Sequence, residues 1–142
     1  MEYAFWDSSS LVPLCVRQNA TPAAEALSAQ FRMTVWWAAS VEMSSAFARL
    51  ERMGQISAQE QARARARLEA FRHSWREVDP SDDLRTQAER LIEKFPLRAA
   101  DSLQLAAALT WRLGRPHGKA FISGDAQLLE AARELGFKPI QA

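Results

Sequence analysis

Four acidic residues of this chain stand beside apolar runs, where carboxylates are uncommon. Asp7 and Asp125 each follow a short apolar run, Glu42 comes soon after a third, and Asp101 interrupts the most apolar helical stretch. Carboxylates that gather at one place repel one another, and ionising them together is costly. A divalent cation removes that cost, and hard oxygen ligands suit Mg²⁺ or Mn²⁺. The four acids therefore predict a metal site, provided that the fold brings them together.

Each acid also has a simpler interpretation. Asp7 and Asp125 precede predicted helices, where aspartate often serves as an N-cap. Glu42 falls in the first turn of a helix and would interact favourably with the helix dipole. Asp101 could form an ion pair with Arg98, three residues earlier on the same helix. Taken one at a time, these structural roles compete with a functional one.

The elements between the acids predict an α/β fold. Short apolar segments alternate with helical patterns, and this alternation is typical of a parallel sheet with helices on both faces. We expect one domain over residues 1–142, a three-layer α/β/α sandwich with a mainly parallel sheet of four or five strands. The central strands are predicted at residues 2–6, 33–38 and 119–123, and further short strands at residues 75–78, at an edge, and 137–140. Three of the acids then lie at strand exits, which face one edge of a parallel sheet.

Helix boundaries can be predicted from a few residues. Pro13 is expected in the first turn of a helix that begins near Leu11, because proline disrupts a helix interior. Ser40 is expected to be the N-cap of the helix that carries Glu42. The helix that carries Asp101 is predicted over residues 97–113.

The acidic segments resemble the motifs of PIN-domain nucleases, in the same order along the chain. Residues 5–12, Phe-Trp-Asp-Ser-Ser-Ser-Leu-Val, resemble the opening motif, and residues 40–46 resemble the second acidic motif. Residues 97–106 and 121–132 resemble the third and fourth motifs, which are the more specific ones. The resemblance covers nearly the whole chain and is greatest to the toxin ribonucleases of VapBC toxin–antitoxin modules.

This resemblance implies a function and a set of partners. It implies a Mg²⁺-dependent endoribonuclease that forms homodimers and is inhibited by a cognate antitoxin. Asp7 and Asp101 would be the main metal ligands, Asp125 would bind directly or through water, and Glu42 would complete the cluster around one or two ions. RNA rather than DNA as the substrate follows from the resemblance alone.

Composition restricts the other possibilities. Lys and Arg number 18 and Asp and Glu 17, so a net charge of +1 excludes nucleic-acid binding by overall charge alone. Any attraction to nucleic acid must be local, and the arginines at positions 63, 65, 67, 72 and 76 are either such a patch or a solvated helix face. Cys15 is the only cysteine, which fits a reducing cytoplasm. No apolar run approaches the ~20 residues of a membrane span.

Two surfaces are candidates for self-association. Trp36 and Trp37 alternate on a strand, so one is expected in the core and the other on a dimer surface. The apolar residues Val12, Leu14 and Val16 of the first helix are expected to contribute to the same homodimer.

A rival hypothesis is a catalytically inert scaffold that serves dimerisation or partner binding. In that case the acids are caps and ion pairs, and carboxyl groups that do not converge within reach of one metal ion would favour this hypothesis. A metal-dependent DNA nuclease of similar fold is a second rival.

Overall fold

A five-stranded, entirely parallel sheet forms the centre of the molecule. The structure, a computed structural model, describes residues 1–142. The strands are β1 (Glu2–Trp6), β2 (Phe31–Trp36), β3 (Arg76–Val78), β4 (Ala120–Ser123) and β5 (Lys138–Gln141). The helices are α1 (Ser8–Cys15), α2 (Thr21–Ser28), α3 (Ala39–Arg52), α4 (Ala58–Arg72), α5 (Asp82–Lys94), α6 (Ala99–Trp111) and α7 (Ala126–Leu135). The strand order is β3-β2-β1-β4-β5, which confirms the predicted sheet.

Separate hydrophobic cores lie on the two faces of the sheet. Successive side chains of a strand point to opposite faces, so Phe5 joins one core while Ala4 and Trp6 join the other. The first core packs α5, α6 and α7 against the sheet, and the second packs α1, α3 and α4. The predicted three-layer sandwich is therefore confirmed.

The topology places a crevice beside β1. The chain proceeds from β1 to β2 and β3 on one side, and then β4 adds to the other side of β1. The backbone N–H of Asp7 donates to the carbonyl of Ile122 at 2.9 Å, which ties the exits of β1 and β4 together. The strand order reverses between these two strands, and in open α/β sheets ligands bind at the carboxyl ends of the strands at such a point.

Four predicted boundaries are wrong, and one is that of β2, which spans Phe31–Trp36 rather than residues 33–38. α1 begins at Ser8 rather than near Leu11, so Pro13 lies in the second half of the helix, where its carbonyl accepts a hydrogen bond from Thr21 Oγ1 at 2.7 Å. α3 starts at Ala39 because the N–H groups of residues 41 and 42 both donate to the carbonyl of Ala38, so Ser40 is not the N-cap. α6 begins at Ala99, and Leu97 precedes it while still packing into the core.

Part of the predicted dimer interface is wrong, because some of its residues are buried within the single chain. Val12 and Val16 are each only 8% exposed and belong to the core of the single chain, so they do not form a free surface. Trp36 is buried and Trp37 is 52% exposed, as predicted, but Trp37 follows β2 rather than lying on it. Val41, nearby in sequence, is 66% exposed. None of the helices combines the length and the apolar character needed to cross a membrane.

Candidate active site

The four predicted acids line one cavity at the crevice beside β1. The cavity has a volume of about 350 Å³. Asp7 follows β1, Glu42 lies on α3 and Asp101 on α6, so helices from both faces of the sheet contribute, and Asp125 precedes α7. The lining residues are Asp7, Ser8, Ser9, Val12, Gln18, Glu42, Ala46, Arg49, Leu50, Asp101 and Asp125. The predicted convergence on one edge of the sheet is therefore observed.

Asp7 is 5% exposed and is held by two hydroxyl groups. Ser9 Oγ and Ser123 Oγ both donate to its Oδ2, the latter at 2.8 Å. Asp7 occupies the N-cap position of α1, yet its side chain makes no capping hydrogen bond. Asp7 thus takes the N-cap position without a capping hydrogen bond from its side chain, and its carboxylate lines the cavity.

Glu42 is bound by two polar side chains from other elements. Ser8 Oγ donates to Glu42 Oε1 at 2.8 Å, and Gln104 Nε2 donates to the same oxygen at 2.6 Å. Gln104 Nε2 also donates to Ser8 Oγ at 2.8 Å, which closes the network between α1, α3 and α6. Glu42 therefore has a role that the helix dipole alone does not explain.

Asp125 and Asp101 differ in how the protein engages them. Asp125 Oδ1 accepts from the backbone N–H of Gln127 at 2.9 Å and of Leu128 at 3.3 Å, so Asp125 is the N-cap of α7 while also lining the cavity. Asp101 accepts no side-chain hydrogen bond, and no ion pair within 4 Å joins it to Arg98. The proposed pair between Asp101 and Arg98 is therefore not formed.

Every cavity carboxylate keeps at least one oxygen without a protein donor. Asp7 uses only Oδ2, Glu42 only Oε1 and Asp125 only Oδ1 for hydrogen bonds within the protein. The partners hold each carboxylate in place by one oxygen. The remaining oxygens are free for an external ligand, and such oxygens are the donors that a hard cation prefers.

The ionised forms of three cavity carboxylates are disfavoured, so their pKa values are raised. Burial raises the pKa of Asp7, and the negative charge of Asp101 raises it further, against the lowering effect of the two serine hydroxyls. Burial likewise raises the pKa of Glu42, with smaller contributions from Asp7 and Asp101. Burial and the neighbouring Asp125 raise the pKa of Asp101, while Arg98 lowers it by less. Shifts of this origin are typical of sites that bind cations or transfer protons.

The carboxylates are not arranged as a finished metal site. No group of three or more acidic, histidine or cysteine side chains lies close enough to hold one ion. The chemistry of the donor set fits Mg²⁺ or Mn²⁺. A three-carboxylate ligand set would require side-chain movement, so the metal assignment stays a prediction.

Several cavity residues were not predicted from the sequence. Gln104 is 1% exposed and holds Glu42, while its Oε1 has no partner. The signal was available, because Gln104 is a polar residue three positions after Asp101 in a helix that is otherwise uncharged to Trp111. Arg49, the only basic residue that lines the cavity, follows Glu42 by seven residues and so shares its helix face.

Neither a cysteine nucleophile nor a histidine-activated serine is supported by the structure. Burial raises the pKa of the Cys15 thiol to about 12, so this cysteine stays protonated and is a poor nucleophile. His73 and His117 are absent from the cavity lining, so neither serves the serines there as a base.

Comparison with known proteins identifies the fold. No family model and no curated protein matches the chain. A solved structure of VapBC2 from Rickettsia felis bound to a DNA fragment from their promoter matches with a TM-score of 0.64. The match covers 99% of this chain and 98% of the other, at 11% sequence identity. The chain has a PIN-like fold. The order of the acidic motifs and the fold thus agree, while the low identity restricts the comparison to architecture.

Proposed function

We propose that this protein is a Mg²⁺-dependent endoribonuclease and the toxin of a toxin–antitoxin pair. The observation that carries the proposal is the convergence of Asp7, Glu42, Asp101 and Asp125 on one cavity, three of them held by one oxygen with the other free. The resemblance of the motifs and the PIN-like fold support the same function. Mn²⁺ could replace Mg²⁺, since both prefer oxygen ligands.

In this proposal each carboxylate has its own task. Asp7 and Asp101 bind the cation, Asp125 contributes directly or through water, and Glu42 completes the acidic cluster. Ser9 and Ser123 orient Asp7, and Gln104 and Ser8 orient Glu42. The bound cation supplies a Lewis acid that activates water and neutralises charge at the scissile phosphate.

Arg49 fits the substrate side of the same cavity. It is exposed and makes no ion pair with any carboxylate within 4 Å, although four acids line the cavity with it. Guanidinium groups bind phosphate in a planar, two-pronged geometry. Arg49 is therefore suited to hold a phosphate of the RNA at the cavity mouth.

The proposed partners follow from the motif resemblance and from the PIN-like fold. The matching solved structure is a VapBC complex, which supports a cognate antitoxin as the inhibitor of this chain. Homodimer formation is proposed through the exposed Trp37 and Val41 rather than through Val12 and Val16. The single buried cysteine fits a cytoplasmic location.

The decisive experiment is cleavage of structured RNAs with and without Mg²⁺, followed by mapping of the cut sites. Wild-type protein should cut RNA only with the cation, and Asp101→Asn should not cut. DNA of the same sequence is the matched substrate control, and cleavage of DNA in preference to RNA would favour the DNA nuclease instead.

An inert scaffold is the second candidate, because no three carboxylates are placed to share one ion. It predicts no cleavage and no thermal stabilisation by Mg²⁺ or Mn²⁺ at any millimolar concentration. Both results together would replace the nuclease proposal with a partner-binding role.

A further inference from the structure

A cluster of three arginines lies next to the acidic cavity and comes from two separate segments. Arg17 follows α1, while Arg63 and Arg67 lie on α4. Together they line a concave pocket of about 190 Å³, which we name the arginine patch. The sequence indicates that Arg63 and Arg67 share a helix face, and the folded chain adds Arg17 to them.

The arginine patch has almost no internal charge compensation. Its only acidic lining residue is Glu60, whose Oε1 accepts the backbone N–H of Ser57 at 3.1 Å in the capping box of α4. Arg63 and Arg67 have no carboxylate within 4 Å, and like charges four residues apart on a helix repel each other. Arg17 meets Glu25 at 3.8 Å, but both side chains are exposed, so this pair is weak. An external anion would relieve the repulsion.

The arginine patch is partly preorganised. Arg67 Nη1 donates to the carbonyl of Cys15 at 2.8 Å, which fixes its guanidinium against the end of α1. Arg65 lies on the same helix but points elsewhere, where both its Nε and Nη2 donate to Gln61. The arginines of α4 are therefore not one uniform solvated face, and Arg65 is a natural control.

The arginine patch and the acidic cavity share one stretch of backbone. Val12 and Gln18 line the cavity, and Cys15, Val16 and Arg17 between them line the patch. An RNA strand with its scissile phosphate in the cavity must continue past the neighbouring surface. Because the chain as a whole carries a net charge of only +1, the attraction for that strand must be local.

We propose that the arginine patch binds the phosphate backbone of the RNA strand outside the acidic cavity. This inference rests on the proposed function. It assigns Arg17 and Arg63 to substrate binding rather than to bond cleavage, with Arg67 as the anchored third member.

Binding is tested with the full-length Asp101→Asn protein, a fluorescent unstructured 20-nucleotide RNA and no divalent cation. Arg17→Ala and Arg63→Ala should each weaken the Kd about 5–10-fold, and the slope of log affinity against log salt should fall by about 0.7 per lost phosphate contact. Arg65→Ala removes the same charge from the same helix and should bind like the parent. Equal weakening by Arg65→Ala, or no weakening by Arg17→Ala and Arg63→Ala, would overturn the proposal.

Two further arms separate the alternatives. In the protein with Asp101 intact, Arg63→Ala should raise KM for the 20-nucleotide RNA and leave kcat unchanged. The KM for a dinucleotide should not change, because its single phosphodiester lies in the cavity and no further phosphate is left for the patch. If RNA is cleaved with a KM that the patch substitutions do not change, the patch proposal is wrong and the nuclease proposal stands. If RNA binding depends on the patch but no cleavage occurs, the nuclease proposal is wrong and the patch proposal stands. If binding of polyglutamate, and not of RNA, depends on Arg17 and Arg63, the patch serves an acidic protein segment and the proposal is wrong.

Discussion

Asp101→Asn tests the site most sharply, because it removes a charge and leaves the size of the side chain unchanged. Asp101 accepts no side-chain hydrogen bond and makes no ion pair within 4 Å. Burial and the charge of Asp125 raise its pKa, so the ionised side chain is disfavoured in the folded protein. The substitution therefore removes no side-chain hydrogen bond and no close ion pair in the metal-free protein. The asparagine Oδ1 can still accept from the backbone N–H of Arg98, and the repulsion from Asp125 is relieved.

The expected change in stability is small because two effects oppose each other. Asp101 lies in the first turn of α6, so losing its charge costs about 0.3–1 kcal/mol of interaction with the helix dipole. Relief of repulsion in a partly exposed site is of similar size, about 0.2–1 kcal/mol. Without metal, the free energy of unfolding should stay within about 1 kcal/mol of the wild type, and activity should fall at least about 100-fold, or ~2.7 kcal/mol.

The assay pairs thermal unfolding in EDTA with RNA cleavage in Mg²⁺. Asp83→Asn is the matched control, because Asp83 also lies in the first turn of a helix, α5, and does not line the cavity. It should lose only the dipole contribution and keep full activity. If Asp101 were half of a buried ion pair, its substitution would cost about 3–5 kcal/mol. A variant destabilised by that amount that still cleaves RNA would refute the assignment of Asp101 as a metal ligand.

Three other expectations can be checked on the same protein. Millimolar Mg²⁺ or Mn²⁺ should raise the Tm, because a cation at one hundred times its Kd adds about 2.7 kcal/mol to the free energy of unfolding. Differential scanning fluorimetry should find no change in Tm when Asp7 and Asp101 are both changed to Asn. Burial raises the pKa values of Asp7 and Glu42 in the folded protein. In EDTA, the contribution of these two groups to the free energy of unfolding should therefore be greatest below about pH 4 and should decline as the pH rises through the raised pKa values. Urea titrations should find a smaller decline in Asp7→Asn, and an identical pH profile would contradict the burial argument. Light scattering at micromolar concentration should detect a homodimer that Trp37→Ser weakens, and a wild-type monomer would exclude it.

The sheet and the placement of the acids could be predicted from the sequence because both depend on local pattern. Apolar runs bounded by turns fix the three central strands, and parallel strands put Asp7 and Asp125 on the same edge. Asp101 is anomalous within its apolar helix, and from the sequence this anomaly predicts either a metal ligand or an ion pair with Arg98. Helix boundaries are harder to predict, because Ser40 is a good capping residue by type, whereas Ala38 takes the N-cap position of α3 two residues earlier.

The polar network around Glu42 could not be predicted, because it depends on distances between elements far apart in the chain. Gln104 meets Glu42 across 62 positions, and Ser8 meets it across 34. Periodicity places such residues on a helix face or at a strand end, but it does not state which oxygen of a carboxylate they occupy. The same limit applies to the arginine patch, where Arg17 and Arg67 come from distant segments and Arg67 Nη1 donates to the carbonyl of Cys15.

The distribution of hydrogen bonds explains how a crowded acidic cavity remains compatible with a stable fold. A buried carboxylate without partners would be strongly disfavoured, and it would take up a proton instead. Here serine hydroxyls and the amide of Gln104 compensate one oxygen of Asp7 and of Glu42, while their pKa values remain raised. In the proposed metal site, protons and a divalent cation would therefore compete for the same free oxygens. A cation would gain affinity when the carboxylates are ionised, and the ionised carboxylates would lose their mutual repulsion when the cation binds.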